Sequence, residues 1–240
     1  MLPLKLALLV KLDDPLQWWE DFPCVEIVSE GQADWLLERV GDRLTLIHGE
    51  GLVNPLAVDW TAGAVGHRSH QGRVLHESLV KAVGVSKGNR AIWDWSLGLA
   101  SDAWMLANAG CQVVGYERNP IIFQLTKDAW QRAELQLGAL DIDIHAGEPT
   151  VHGPPPDAIY FDPMFPASKK QAKVKGPMQV LQLLNDGTVD DSALWLERAI
   201  DAGPKRVVVK RPAQAAPIEG SRAPTFQITG KSSRFDVYQL

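Results

Sequence analysis

From Ala91 to Val209 the chain alternates short apolar runs with longer stretches whose apolar residues recur every three or four positions. Few folds satisfy that alternation. Strands that each hand over to a helix do not pair as hairpins, so they lie parallel in a sheet with helices packed on both faces. The strands are read at Ala91–Trp93, Gln112–Tyr116, Ile142–His145, Ala158–Phe161 and Arg206–Val209. The helices are read at His76–Val83, ended by Gly84, at Ala103–Ala109, stopped by Gly110, and at Ile121–Leu135 and Ser192–Ala202. Two late strand-like runs, Thr225–Thr229 and Phe235–Tyr238, follow and look antiparallel. The expected class is α/β, a mostly parallel doubly wound sheet with an antiparallel C-terminal hairpin.

Upstream, Leu4, Leu6, Leu8 and Val10 alternate as in a strand, and Cys24–Val28, Leu44–Ile47 and Leu56–Val58 are strand-like runs around one short helix at Ala33–Arg39. Residues 1–69 are expected to form a small N-terminal α/β unit, and residues 70–240 the main domain. The apolar start has no basic region before it and no small-residue cleavage site after Lys11-Leu12-Asp13-Asp14, so it reads as a strand rather than a signal sequence.

Composition limits the partners. With 45% hydrophobic and 22% charged residues the chain reads as soluble, and its net charge of -5 repels a phosphate backbone, so any nucleic-acid contact has to come from a local basic face. Cys24 and Cys111 are too few for a disulfide framework or a thiolate zinc site, and a cytoplasmic protein is expected. His67, His70 and His76 have no cysteine or close acidic partner to complete a metal set, so no metal is expected.

The first chemical signal is the loop Asp94-Trp95-Ser96-Leu97-Gly98-Leu99-Ala100-Ser101-Asp102, which follows a strand and opens a helix. Such a turn lets a cofactor approach the backbone, although Gly98 alone reads equally well as a tight turn that needs one glycine. Glu117, at the end of the next strand, is placed to accept hydrogen bonds from both ribose hydroxyls of an adenosine cofactor. The plainer reading is a strand-end carboxylate in water or paired with Arg118. Nicotinamide and S-adenosylmethionine (SAM) enzymes share this arrangement. Trp95, inside the loop, is placed to cover an adenine, whereas most of the other tryptophans read as core.

The fourth strand runs directly into Asp162-Pro163-Met164-Phe165-Pro166. Open α/β sheets bind ligands at the carboxyl ends of their strands. There Pro163 fixes the turn and donates no amide, Asp162 adds a carboxylate acceptor, and together they suit an exocyclic amine. Phe165 offers a flat face for an extruded base, a contact worth about 1–3 kcal/mol. Lys169, Lys170, Lys173 and Lys175 in the following loop, Lys210-Arg211 at the next strand end, and Arg68 beside His67 and His70 are the cations available for phosphate, with a solvated loop as the alternative.

Asp162-Pro-Met-Phe-Pro166, Lys169-Lys170 and Val207-Val208-Val209-Lys210-Arg211-Pro212 together resemble the RsmJ family of ribosomal small-subunit methyltransferases. Val58-Asp59, His67-Arg68, Lys81-Ala82-Val83-Gly84, Glu117-Arg118-Asn119-Pro120 and Arg234-Phe235-Asp236-Val237-Tyr238 agree in order, so the similarity spans about Val58 to Tyr238. The resemblance implies a Rossmann-like class I methyltransferase that uses SAM to methylate the N2 amine of a guanine in 16S ribosomal RNA, free or in the 30S subunit. It also implies cofactor contacts at Ser101, Asp102, Glu117, Arg118, Gly147, Glu148 and Asp162. Ala100 departs from the family's second loop glycine, Ser101 from its arginine, and Gly147-Glu148 from its serines. Two other classes compete. A nicotinamide-dependent oxidoreductase leaves Asp162–Phe165 without a task, and a cofactor-impaired RNA-binding or ribosome-assembly protein fits Ala100 and Ser101.

Overall fold

The computed structural model describes residues 6–11, 25–27, 34–61, 73–151, 153–163, 176–185, 190–218, 222–230 and 233–240, with the backbone alone for the first two stretches. Two sheets make up the frame. The N-terminal sheet holds β1 (Leu6–Lys11), β2 (Val25–Ile27), β3 (Trp35–Val40), β4 (Arg43–His48) and β5 (Leu56–Ala57) in the order β2-β1-β3-β4-β5. Its first three strands pair parallel and its last three antiparallel. The helix expected at Ala33–Arg39 is instead strand β3, inserted between β1 and β4. Trp35 and Leu37 are buried while Leu36 and Glu38 are half-buried, a period of two that pairing on both edges enforces over the local helical preference of a Leu-Leu-Glu-Arg stretch.

The second sheet contains β6 (Ala91–Asp94), β7 (Gln112–Glu117), β8 (Ile142–Ala146), β9 (Ala158–Phe161), β10 (Arg206–Pro212), β11 (Phe226–Thr229) and β12 (Ser233–Gln239). Its order is β11-β12-β10-β9-β6-β7-β8, parallel from β8 to β10, with β12 antiparallel to β10 and β11 antiparallel to β12. The expected parallel sheet with an added hairpin is therefore present. β9 and residues 207–209 are fully buried, as apolar runs without alternation must be when helices cover both faces.

Among the described residues the α-helices are α1 (Ser78–Val83), α2 (Ser101–Asn108), α3 (Pro120–Leu137), α4 (Pro177–Leu184) and α5 (Ser192–Asp201). Gly84 caps α1 at φ 87°, and a Cβ there would lie 2.7 Å from Arg206 Nη1, so the glycine is required twice over. Asn119 starts α3, its side chain accepting from the Ile121 and Ile122 amides with Pro120 in the first turn. α4 is not among the helices read from sequence; burial of Val180 and Leu184, one helical turn apart, forms it against the core.

Contacts of α3 and of Trp60 tie the sheets together. Asp128 of α3 is buried, and its carboxylate accepts from Arg39 at 2.9 Å, from Arg132 at 2.9 Å and from the Leu44 amide at 3.2 Å. Arg132 also donates to the Val58 carbonyl. Trp60, just beyond β5, is 1% exposed, lies 5.5 Å from the Trp104 ring and donates its indole N–H to the Leu99 carbonyl at 3.0 Å.

Candidate active site

The chain leaves β6 toward β7 and β8 on one side, then crosses to β9 and β10 on the other. A crevice opens at the carboxyl ends of β6 and β9, where the strand order reverses. It holds a cavity of about 400 Å³, the size of a small-molecule site, lined by Gly98, Ser101, Asp102, Glu117, Arg118, Gly147, Asp162, Pro163 and Lys210. Register explains the convergence: Asp94 pairs with Tyr160, and Val209 with Phe161, so the residues that end these strands emerge side by side.

The loop between β6 and α2 is held by hydrogen bonds from three directions. Gly98 donates its amide to Glu117 at 2.8 Å, its carbonyl accepts from Thr126 at 2.7 Å, and the neighbouring Leu99 carbonyl accepts from Trp60. The other Glu117 oxygen accepts from the Asn119 amide at 2.6 Å. Burial raises the Glu117 carboxyl above its ordinary value, with these amides pulling it back. Ala100 adopts φ 58°, the left-handed conformation of a glycine, and is 0% exposed. Its methyl packs in the core and does not line the cavity, so this substitution leaves the cofactor's path clear.

Below the loop lies a cluster that the sequence reading did not identify. Asp94, 1% exposed, accepts from the Ser96 amide at 3.0 Å, and Ser96 Oγ in turn accepts from the Asp162 amide at 2.6 Å. Tyr160 donates to Asp102 at 2.6 Å, and Lys210 reaches Asp102 at 3.0 Å and Asp162 at 2.9 Å. Its position at the carboxyl end of the first parallel strand was the available signal for Asp94. Burial, reinforced by Asp102 and Asp162, pushes Asp94 up to about 8, whereas burial raises Asp162 and the Lys210 ammonium pulls it back. The unfolded chain ionises Asp94 near its ordinary value and the folded chain only near 8, so folding retains a proton in between and stability falls as pH rises across that interval. Asp94→Asn is expected to flatten this fall: its melting temperature should match the parent below about pH 4 and exceed it increasingly up to about pH 9, and parallel curves would refute the assignment.

Some assignments change. Arg211, read as an RNA contact, is buried and donates to the Ala216 carbonyl, which commits its guanidinium to the protein. Lys210, read likewise, is committed to two carboxylates. Glu148 lies on the surface beside Arg198 at 3.4 Å and does not line the cavity. Arg118 lines it but pairs with Asp191 at 2.7 Å. Trp95 forms a buried wall, edge-on to Trp195, rather than an open cover. Arg68, Phe165, Lys169, Lys170, Lys173 and Lys175 lie outside the described residues. Met178, Leu181 and Trp195 supply apolar lining that no motif announced.

This donor set fits SAM. The glycine turn and the strand-end Glu117 suit an adenosine, Ile122, Leu97 and Leu181 give apolar surface, and the carboxylates Asp102 and Asp162 outnumber Lys210 beside the place where a sulfonium cation has to sit. Comparison with known proteins agrees. A SAM-dependent methyltransferase family profile matches residues 24–240. A ribosomal RNA small subunit methyltransferase J from Dechloromonas aromatica is 37% identical over 225 residues, covering 89% of this chain and 91% of that protein. The protein of the same name from Coxiella burnetii is 41% identical over 194 residues, covering 78% and 75%. The crystal structure of a SAM-dependent methyltransferase from Neisseria gonorrhoeae superposes with a TM-score of 0.70 at 29% identity, covering 97% of this chain and 95% of that one. The chain belongs to the ribosomal RNA small subunit methyltransferase J family, with a Rossmann-like class I methyltransferase fold and SAM as its cofactor.

Proposed function

We propose that the protein methylates the exocyclic N2 amine of a guanine in 16S ribosomal RNA, free or in the small subunit, in the cytoplasm. The observation that carries this reading is the placement of Asp162 and Pro163 at the rim of the cavity that also holds the glycine loop and Glu117. SAM, when bound, supplies an electrophilic methyl on a sulfonium. Gly98, Ser101, Asp102, Glu117 and Gly147 hold it, and Arg118 closes the side through Asp191.

The N2 lone pair of guanine is delocalised into the ring, so the protein's task is to orient the amine and favour its pyramidal form. Asp162 Oδ1, which accepts no hydrogen bond among the described residues, takes one N2 proton, and the carbonyls around Pro163 take the other. As the methyl–nitrogen bond formed, the methyl's bond to sulfur would break to leave the neutral thioether S-adenosylhomocysteine, and an N–H bond would break with its proton passing to Asp162 and on to solvent. Phe165 stacks on the base, and Lys169, Lys170, Lys173 and Arg68 neutralise phosphates. The names of the relatives support RNA of the small subunit as substrate.

The test is mass mapping of 16S RNA from a deletion strain, followed by incubation of that RNA, free and in 30S particles, with the purified protein and SAM. One N2-methylguanine should be missing and then restored. An unchanged guanine pattern in the deletion strain sinks the reading.

A further inference from the structure

The lysine that the sequence offered to RNA has a different setting. Lys210 stands one step beyond the Val209–Phe161 register pair, beside Asp162 on the neighbouring strand. Its ammonium touches Oδ2 of Asp102 and Oδ2 of Asp162, and about three-quarters of its side chain is covered. Among the described residues, the charged and titratable groups around it are Asp94 from β6, Asp102 from α2, and Tyr160 and Asp162 from β9 and its end. With Asp94 protonated, one cation faces two carboxylates. A phosphate approaching that cluster meets net negative charge.

We infer that Lys210 is a positioning residue of the methyl-transfer site: its ammonium fixes Asp162 through Oδ2, leaves Oδ1 turned to the substrate amine, and ties that carboxylate to the first turn of α2. The inference rests on the reading of Asp162 as the amine acceptor. The clamp has two anchors, because Ser96 holds the Asp162 main chain while Lys210 holds its side chain. Lysine suits the place. A compact ammonium meets two separate carboxylates from one point, which a planar guanidinium fork does not. The charge also works against the burial that raises the Asp162 carboxyl.

The experiment compares Lys210→Met and Lys210→Arg with the parent protein. It reads the Asp162 carboxyl titration by NMR in the protein alone, SAM affinity by calorimetry, thermal melting, and kcat and KM against pH on small-subunit RNA. In Lys210→Met the Asp162 titration should move upward, kcat should fall on the order of a hundredfold, its acid limb should move to higher pH, and KM for RNA should stay as it was. Lys210→Arg should keep the acid limb in place while still lowering kcat, because charge remains and geometry does not. A raised KM for RNA with unchanged kcat and a flatter salt dependence is the mark of a phosphate contact and overturns the inference. An unmoved Asp162 titration overturns it as well. A moved titration with kcat and its pH profile intact upholds Lys210 as the anchor of Asp162 and sinks the amine reading instead. Should Lys210→Met not fold, Lys210→Arg decides alone, and parental kcat there overturns the inference.

Discussion

Asp162→Ala is expected to lower the rate of methyl transfer on the order of a hundredfold to a thousandfold while SAM affinity falls far less, by the share of the sulfonium's attraction that Asp162 supplies. Asp162 is fixed at its amide by Ser96 and at one oxygen by Lys210, which leaves the second oxygen to orient the amine. Losing a preorganised acceptor at the reacting atom costs about 2.7–4 kcal/mol of barrier in comparable sites. Single-turnover rates with saturating SAM read the effect, and calorimetry reads the cofactor separately. Most of the cofactor affinity should hold because the glycine turn and Glu117 are anchored by Thr126, Trp60 and Asn119, none of which touches Asp162. A rate within a few-fold of the parent would remove Asp162 from the chemistry.

The second large effect lies far from the cavity. Asp128→Ala should cost about 3 kcal/mol of stability and lower the melting temperature by roughly 6–12 °C. Its carboxylate satisfies the Leu44 amide and both Arg39 and Arg132 at the seam between α3 and the N-terminal sheet. Removing it strands the half-buried Arg132 guanidinium beside a donor with no acceptor. Arg39→Ala at the same seam is the control. That guanidinium is 54% exposed, and its loss should cost well under half as much. Equal losses would show that the carboxylate's burial is not what matters.

What could be read from sequence was whatever local chemistry specifies. Buried parallel strands announce themselves as apolar runs, and β9 emerged with the expected bounds because pairing on both edges and cover on both faces leave no room for alternation. Gly84, Gly98 and the strand-end Glu117 were visible because turns and strand ends use few residue types. The failures share a cause, since each depended on a neighbour distant in sequence. Trp35–Val40 is a strand because β1 and β4 flank it, and no local pattern reveals flanking strands. Lys210 and Arg211 are adjacent cations, yet one meets Asp102 and Asp162 and the other the Ala216 carbonyl, partners fixed by tertiary structure. Asp94 was named only as the first residue of the cofactor loop, because a carboxylate's solvation is invisible until its burial is known.

The indole of Trp60 holding the Leu99 carbonyl carries a consequence of reciprocity. The N-terminal sheet and the cofactor turn share one apolar core and that bond, so free energy spent tightening the turn is also spent on the sheet. A ligand that settles on Gly98 raises the opening free energy of strands that never touch it, and loosening those strands costs the ligand the same amount in return. A substitution that loosens the N-terminal sheet is therefore expected to weaken SAM binding.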